Sequence, residues 1–207
     1  MPRAIQLQKE SINIRDLLKS AVMVGRYRGE EVWSELEKEI EEMSDNTLAL
    51  IDIRLAMPLQ YTFCQYAFAP LFQAFHKGRW AHKYVIFQMH DFHKSGFFRG
   101  VLKGIGTELP RKESEKGFVE AGFYAKLILG DQEYISFVGR LNEDQSKVLN
   151  IINEMKSASV DQIRGKLSLS AEVVVPALSF LVQKHFIVGL STESVLVPNY
   201  YSFYKYL

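Results

Sequence analysis

Two short apolar runs constrain the fold of this chain more than any other feature. The first is TLALIDI, at residues 47–53, and the second is KYVIFQM, at residues 83–89. Runs of this length without polar alternation are typical of strands that are buried on both faces of a sheet. Because helical patterns stand before, between and after the two runs, the sequence predicts an α/β layer with parallel strands.

Three helical patterns accompany these strands. The first contains four apolar residues at helical spacing, Val32, Leu36, Ile40 and Met43. We expect this helix to begin after Gly29, and a second helix to begin at about residue 62 and to kink at Pro70. The third pattern covers residues 95–105. Further on, two strand patterns flank GDQ at residues 130–132 and predict a hairpin.

A change of pattern from strands to helices marks a second domain from residue 141 onward. Asn142 begins an Asn-x-x-Gln pattern, a near capping box for a first helix. Ser159 is placed to cap a second helix, and a third helix starts near Ser170. Two short strands around a polar turn follow. We therefore divide the chain into an α/β domain that ends at residue 140 and a domain of helices with a β-wing.

The composition excludes several classes of protein. The 207 residues are 47% hydrophobic and 24% charged, with a net charge of +1, which is typical of a folded globular protein. No run approaches the ~18 apolar residues of a membrane-spanning helix, and the N-terminus lacks a signal-peptide core. The single cysteine cannot form an internal disulfide, so we expect a cytoplasmic protein. No pattern in the sequence indicates a cofactor.

The first domain resembles the STAS-like family, which is related to anti-anti-sigma factors. The segments VGRYRGEEVWSEL and LALIDIRLAMPLQYTFCQYAF carry the resemblance, within residues 12–105. The resemblance implies a small sheet flanked by helices, and the hairpin follows it. Such domains bind a protein partner, often under the control of a phosphorylated Ser or Thr at a helix start. In this sequence that position corresponds to Thr62, with Asp52 at the strand end, although LQYTF stands where the family has Asp-Ser-Ser-Gly.

The second domain, residues 141–207, resembles a winged helix-turn-helix. This resemblance implies DNA binding as the commonest use and protein interaction as an alternative. Five residues are candidates for DNA contacts on the second and third helices: Arg164, Lys166, Ser179, Gln183 and Lys184. The domain carries six basic and six acidic residues. Because phosphate neutralisation supplies much of the affinity for DNA, we expect a weak stand-alone DNA binder.

Two residues at the start of the second helix attract chemical interpretations. Thr62 fits the N-cap of a capping box with Gln65, and it is also a candidate phosphoacceptor. The two interpretations are compatible, because a phosphate would replace the cap. Cys64 lies near a helix start, where a thiol can be activated. It also shares an apolar helical stripe with Phe68, which favours a buried and inert thiol.

The loop after the second apolar run supplies the candidate metal ligands His90, Asp91 and His93. A metal-dependent enzyme centred there is one hypothesis. The other interpretation is a polar loop that caps the following helix. Because ligands bind at the carboxyl ends of parallel strands, we expect residues 54–62 and 90–95 to line one shared edge of the sheet.

A basic excess in mid-chain offers a different surface. Residues 76–116 carry nine basic and four acidic residues, whereas residues 1–53 carry seven and eleven. The candidate basic surface consists of Lys77, Arg79, Lys83, Lys94 and Arg99. One interpretation is nucleic-acid binding with Trp80 as a stacking group. The other is that these cations balance the acidic helix of residues 30–42.

The sequence as a whole favours a non-enzymatic regulator. A STAS-like module that binds a partner or signal, coupled to a winged helix, indicates transcriptional regulation. The alternative is a protein-interaction adaptor without DNA binding. Five aromatic residues in the tail PNYYSFYKYL, at residues 198–207, predict packing on the chain itself or in a homodimer.

Overall fold

The computed structural model describes residues 7–18, 22–56, 58–104, 121–189 and 199–201. The chain divides into two compact units, one of Gln8–Arg140 and one that groups Leu7 with the residues from Leu141 onward. Among the described residues, no helix is long and apolar enough to cross a membrane.

The first unit is an α/β unit built on one five-stranded sheet. Its elements in chain order are β1 (Gln8–Asn13), α1 (Ile14–Leu18), α2 (Arg26–Glu42), β2 (Thr47–Asp52), α3 (Tyr61–Ala67), α4 (Ala69–His76), β3 (Lys83–His90), α5 (Lys94–Gly104), β4 (Ala121–Leu129) and β5 (Gln132–Arg140). The strands lie in chain order across the sheet. β1 to β4 are parallel and β5 returns antiparallel to β4. The predicted hairpin is confirmed, and it belongs to the same sheet.

The main core lies between one face of this sheet and the helices. Alternate strand residues such as Ile51 and Phe87 point into it. At its centre five rings pack with centroids 4.7–5.9 Å apart, Phe68, Phe72, Phe87, Phe97 and Phe123. On the opposite face Leu48 and Ile86 are also completely buried. The apolar runs therefore correctly predicted strands that are buried on both faces.

Glycines bring α3 unusually close to both of its neighbours. A Cβ on Gly29 of α2 would lie 2.7 Å from the carbonyl oxygen of Phe63, and a Cβ on Gly100 of α5 would lie 2.7 Å from Cβ of Cys64. Contacts this short leave no room for a side chain at either glycine. The helices are consequently ordered α2, α3, α5 across the layer.

Three sequence predictions about this unit were wrong. β1 was missed, because its mostly polar sequence QKESIN carries no apolar run. α2 begins at Arg26, and Gly29 lies inside it, facing α3. The expected kink at Pro70 is a break into two helices, since Phe68 separates α3 from α4.

The second unit contains three helices and a small sheet. Its elements are α6 (Glu143–Met155), β6 (Ser157–Ser159), α7 (Val160–Leu167), α8 (Ala171–Gln183), β7 (Val188–Gly189) and β8 (Asn199–Tyr201). β8 lies between β6 and β7 and is antiparallel to both. Asn142 and Ser159 each form a complete capping box, so both predicted helix starts are confirmed.

Candidate functional site

The carboxyl ends of β1 to β4 carry a row of polar residues on the sheet face opposite the helices. The strand register places Asn13, Asp52, Gln88 and Lys126 side by side on four neighbouring strands. Because β2 and β3 are otherwise largely apolar, this row marks the end of the sheet at which side chains meet solvent. We call this edge, with the loops that follow it, the carboxyl end of the unit.

Asp52 and Arg54 form a close pair at the centre of the carboxyl end. The guanidinium of Arg54 donates to both carboxylate oxygens of Asp52 at 2.5–3.0 Å, and the backbone N–H of Arg54 donates at 2.9 Å. Burial alone would raise the pKa of Asp52, but the bonds from Arg54 outweigh it and hold the pKa below its usual value. Asp52 therefore fixes the loop that enters α3.

The segment with His90, Asp91 and His93 lies beside the pair of Asp52 and Arg54. His90 stacks on Phe92 with ring centroids 5.3 Å apart, and the centroids of His90 and His93 are 5.9 Å apart. Burial, and secondly His90, lower the pKa of His93. Asp91 instead accepts a hydrogen bond from the hydroxyl of Tyr134 at 2.5 Å. Among the described residues no group of three or more His, Cys, Asp or Glu side chains is placed to hold a metal ion.

A shallow depression of about 490 Å³ opens between the loop after β2 and the turn of the β4–β5 hairpin. Arg54 and His90 both line it, as the shared-edge prediction required. Asp131 and Glu133 line its other side. Basic and acidic groups therefore face each other across this depression.

Exposed apolar side chains concentrate at the same end. In the described part of the α/β unit seven large apolar side chains are exposed: Val22, Tyr27, Leu55, Tyr61, Phe92, Leu129 and Tyr134. Five of them lie in a loop, turn or first helical turn that follows a parallel strand, Leu129 is the last residue of β4, and Tyr134 lies opposite Leu127 on β5. The opposite end has none among the described residues, so the unit has one apolar end and one polar end.

Thr62 does not cap α3. The helix begins at Tyr61 with Gln60 as its N-cap, and no side chain caps it. Thr62 therefore lies in the first turn, beside the phenol of Tyr61, whose pKa is lowered by the hydrogen bond with Thr62 and by the nearby Lys103. Cys64 is completely buried, and burial raises the pKa of its thiol. The inert interpretation of Cys64 is thus correct, and the capping interpretation of Thr62 is wrong.

The residues of the candidate basic surface lie in different environments and do not form one surface. Lys83 is buried and donates to the carbonyl oxygens of Ile40 and Glu41 at 2.8 and 2.9 Å, so it closes the end of α2 and does not belong to a surface. Arg79 pairs with Glu37 and Glu41. Lys77 and Arg99 are exposed, and Lys94 is half-buried.

Two of the candidate DNA-contacting residues in the second unit form ion pairs with acidic side chains. Arg164 lies 3.4 Å from Asp161, and Lys166 lies 2.7 Å from Glu154. Lys184 lies 5.9 Å from the ring centroid of Phe180. The two remaining candidates, Ser179 and Gln183, are exposed on α8. The side chains of the aromatic tail lie outside the described residues.

Comparison with known proteins does not assign the chain to a family. No protein-family model matches the chain, and no curated protein matches it.

Sequence reasoning placed Arg54 and Leu55 within the segment expected at the shared edge but singled out neither as a site residue. An Asp-x-Arg spacing at a strand end is a usable signal for the pair of Asp52 and Arg54, because a residue two positions on can fold back onto the carboxylate. Nothing in the sequence marks the exposed Leu55, since its exposure depends on where the neighbouring loops lie.

Proposed function

We propose that this protein is a non-enzymatic regulatory adaptor. Its first unit is a STAS-like module that binds a protein partner at the carboxyl end. Its second unit is a winged helix that makes protein contacts and does not bind DNA on its own. The observation that carries this proposal is the concentration of exposed apolar side chains at one end of the α/β unit.

A partner site is the best physical account of that concentration. Contiguous exposed apolar surface rimmed by polar groups is costly in water and is typical of interaction sites. Tyr27, Tyr61 and Tyr134 add the residue type that contributes most often to binding energy at interfaces. Phe92 is 63% exposed and is stacked on His90, which holds its ring in place. A side chain held in this way loses little conformational entropy on binding.

The order of elements supports a winged helix in the second unit. The elements follow the order α6, β6, α7, α8, β7 and β8, and the three strands form an antiparallel sheet in which the last strand lies in the middle. In such a domain α8 would be the helix that enters the DNA major groove.

The charges of this unit argue against that use. The sequence of α8 contains no Lys or Arg and one acid, Glu172. Residues 190–198, between β7 and β8, also contain no Lys or Arg and include Glu193. Two of the candidate cations, Arg164 and Lys166, are paired with acids. A recognition helix without Lys or Arg forgoes much of the electrostatic part of the affinity, so we assign this unit to protein contacts.

A binding assay with DNA tests this part of the proposal. We expect no retardation of a pool of random-sequence duplexes by the full chain at about 50 mM salt, where electrostatic binding is strongest. Retardation that disappears in the Arg164→Glu/Lys166→Glu variant would restore the DNA-binding interpretation.

Affinity purification with matched baits tests the partner site. The Leu55→Asp/Phe92→Asp bait places two charges in the apolar end and should lose the partner that the wild-type bait retains. The control bait, Lys9→Asp/Ala81→Asp, places charges at the opposite end and should keep it. Equal capture by all three baits would remove the carboxyl end as the site.

A further inference from the structure

The outer surface of the three helices α2, α3 and α5 is charged at both sides and neutral in the middle. α2 contains seven acidic and three basic residues. α3 and the following α4 contain no Asp, Glu, Lys or Arg. α5 contains three basic residues and no acidic one. Since α3 lies between α2 and α5, charge runs from negative to positive across the layer. We call this outer surface the helical face.

The cations of α5 point outward and keep their charge available. Arg99 and Lys103 are one turn apart and both are exposed. Among the described residues neither of them forms an ion pair, although Lys103 lies 5.2 Å from the ring centroid of Tyr61. Arg99 lies opposite the buried Phe97 and Val101, so it points away from the sheet.

The acidic side of the helical face is exposed and keeps a net charge of −4, although two of its acids form ion pairs, Glu30 with Arg26 and Glu41 with Arg79. Helical geometry puts Glu30, Ser34 and Glu41 of α2 opposite the buried Val32 and Leu36. All three are exposed. Between the two charged helices, α3 presents Tyr61, which is 43% exposed.

We propose that the helical face is the interface of a homodimer, in which α2 of each copy packs on α5 of the other and the two α3 helices meet at the centre. The proposal does not use the second unit, and Tyr61 is the one named residue that it shares with the proposed partner site.

Symmetry selects this arrangement. Two identical faces can pack against each other about a two-fold axis that lies in the plane between them. An axis along α3 exchanges the two sides, so that the negative α2 meets the positive α5 of the second copy. An axis perpendicular to α3 would place α2 on α2 and repel. The face is therefore self-complementary in one arrangement.

The helical face is large enough for a weak dimer. α2, α3 and α5 have 17, 7 and 11 residues, which correspond to about 25, 10 and 16 Å at about 1.5 Å per residue. With the helices about 9 Å apart, the face covers roughly 450 Å² per copy. A standard-size interface buries about 800 Å² per partner, so we expect a weak affinity that depends on charge.

Sedimentation velocity of the full chain over a range of protein concentrations tests the proposal. We expect a monomer–dimer equilibrium at about 50 mM salt that shifts toward monomer at higher salt, because ions screen the paired charges. The Arg99→Glu/Lys103→Glu variant should weaken dimerisation by at least about tenfold. The Lys9→Glu variant, whose charge reversal lies on β1 and not on α2, α3 or α5, should dimerise like the wild type.

A charge-swap experiment separates this interface from others. The Glu30→Lys/Ser34→Lys variant puts two positive charges on the outward side of α2 and should also dimerise weakly alone. Mixed with Arg99→Glu/Lys103→Glu it should form a heterodimer, because both α2–α5 contacts then place opposite charges against each other. Circular dichroism checks that each variant is folded. A wild type that is monomeric at every concentration, or a dimer that neither reversal weakens, would overturn the proposal.

Discussion

The two ends of the α/β unit differ in which side chains they pair internally and which they expose to solvent. At the amino end of the sheet, Arg79 pairs with acids of α2, Trp80 donates to Glu41, and Lys83 closes the last turn of α2. At the carboxyl end the Asp52–Arg54 pair holds the loops, and the apolar side chains around it face solvent. Charge that is satisfied internally serves the fold, whereas exposed apolar surface is available to a partner.

The largest effect on stability is expected from a side chain introduced at one of the glycines that contact α3. These contacts fix the position of α3, and this helix in turn fixes the carboxyl-end loops. In Gly100→Ala the new Cβ would overlap the backbone carbonyl of Tyr61. We expect a loss of about 3 kcal/mol in the free energy of unfolding, measured by urea denaturation.

Gly165→Ala in α7 is the matched control for Gly100→Ala. A Cβ at this position meets nothing within 4 Å, so alanine should stabilise the chain by about 0.5–1 kcal/mol. A Gly100→Ala protein as stable as the wild type would show that α3 is not fixed by close packing.

At the amino end, Lys83→Met keeps most of the buried apolar stem and removes the ammonium. The carbonyl oxygens of Ile40 and Glu41 then lose the ammonium as their hydrogen-bond donor. We therefore expect a loss of about 2 kcal/mol in the free energy of unfolding. Partner capture should be unchanged. Loss of capture in a protein that is still folded would contradict the division of roles between the two ends.

At the carboxyl end, Asp52→Asn should cost about 1 kcal/mol at neutral pH. The pKa of Asp52 is lowered in the folded state, so the pair contributes stability above the unfolded value of about 3.9 and loses it as the pH falls through the folded pKa. Urea unfolding at pH 7 and at pH 3 should therefore show a smaller difference between variant and wild type at the lower pH. A difference that is independent of pH would assign the effect to packing.

The smallest effect on stability is expected for Leu55→Ser. Leu55 is 55% exposed, so the free energy of unfolding should change by less than about 0.5 kcal/mol. Partner capture should nevertheless decrease. A large loss of stability would mean that Leu55 serves the fold and would weaken the contrast between the two ends.

The sequence was most informative where structure depends on local patterns. The capping box at Asn142 and the N-cap at Ser159 were predicted correctly, because a cap and its partner lie three residues apart. The burial of Cys64 followed from its helical phase. Thr62 was misassigned because several polar residues near a helix start can serve as N-cap, and the path of the preceding loop decides which one does.

The sequence by itself determined the apolar strands, the helices between them, and the change of pattern near residue 140, because periodicity and capping act over a few residues. Only the tertiary structure decided the rest. It assigned the polar β1 to a sheet edge, buried Lys83 under α2, and joined Arg79 to Glu37 across 42 residues of sequence. It also gathered exposed apolar side chains from separate loops at one end. Such pairings depend on which residues the fold brings together in space, and no local pattern in the sequence records them.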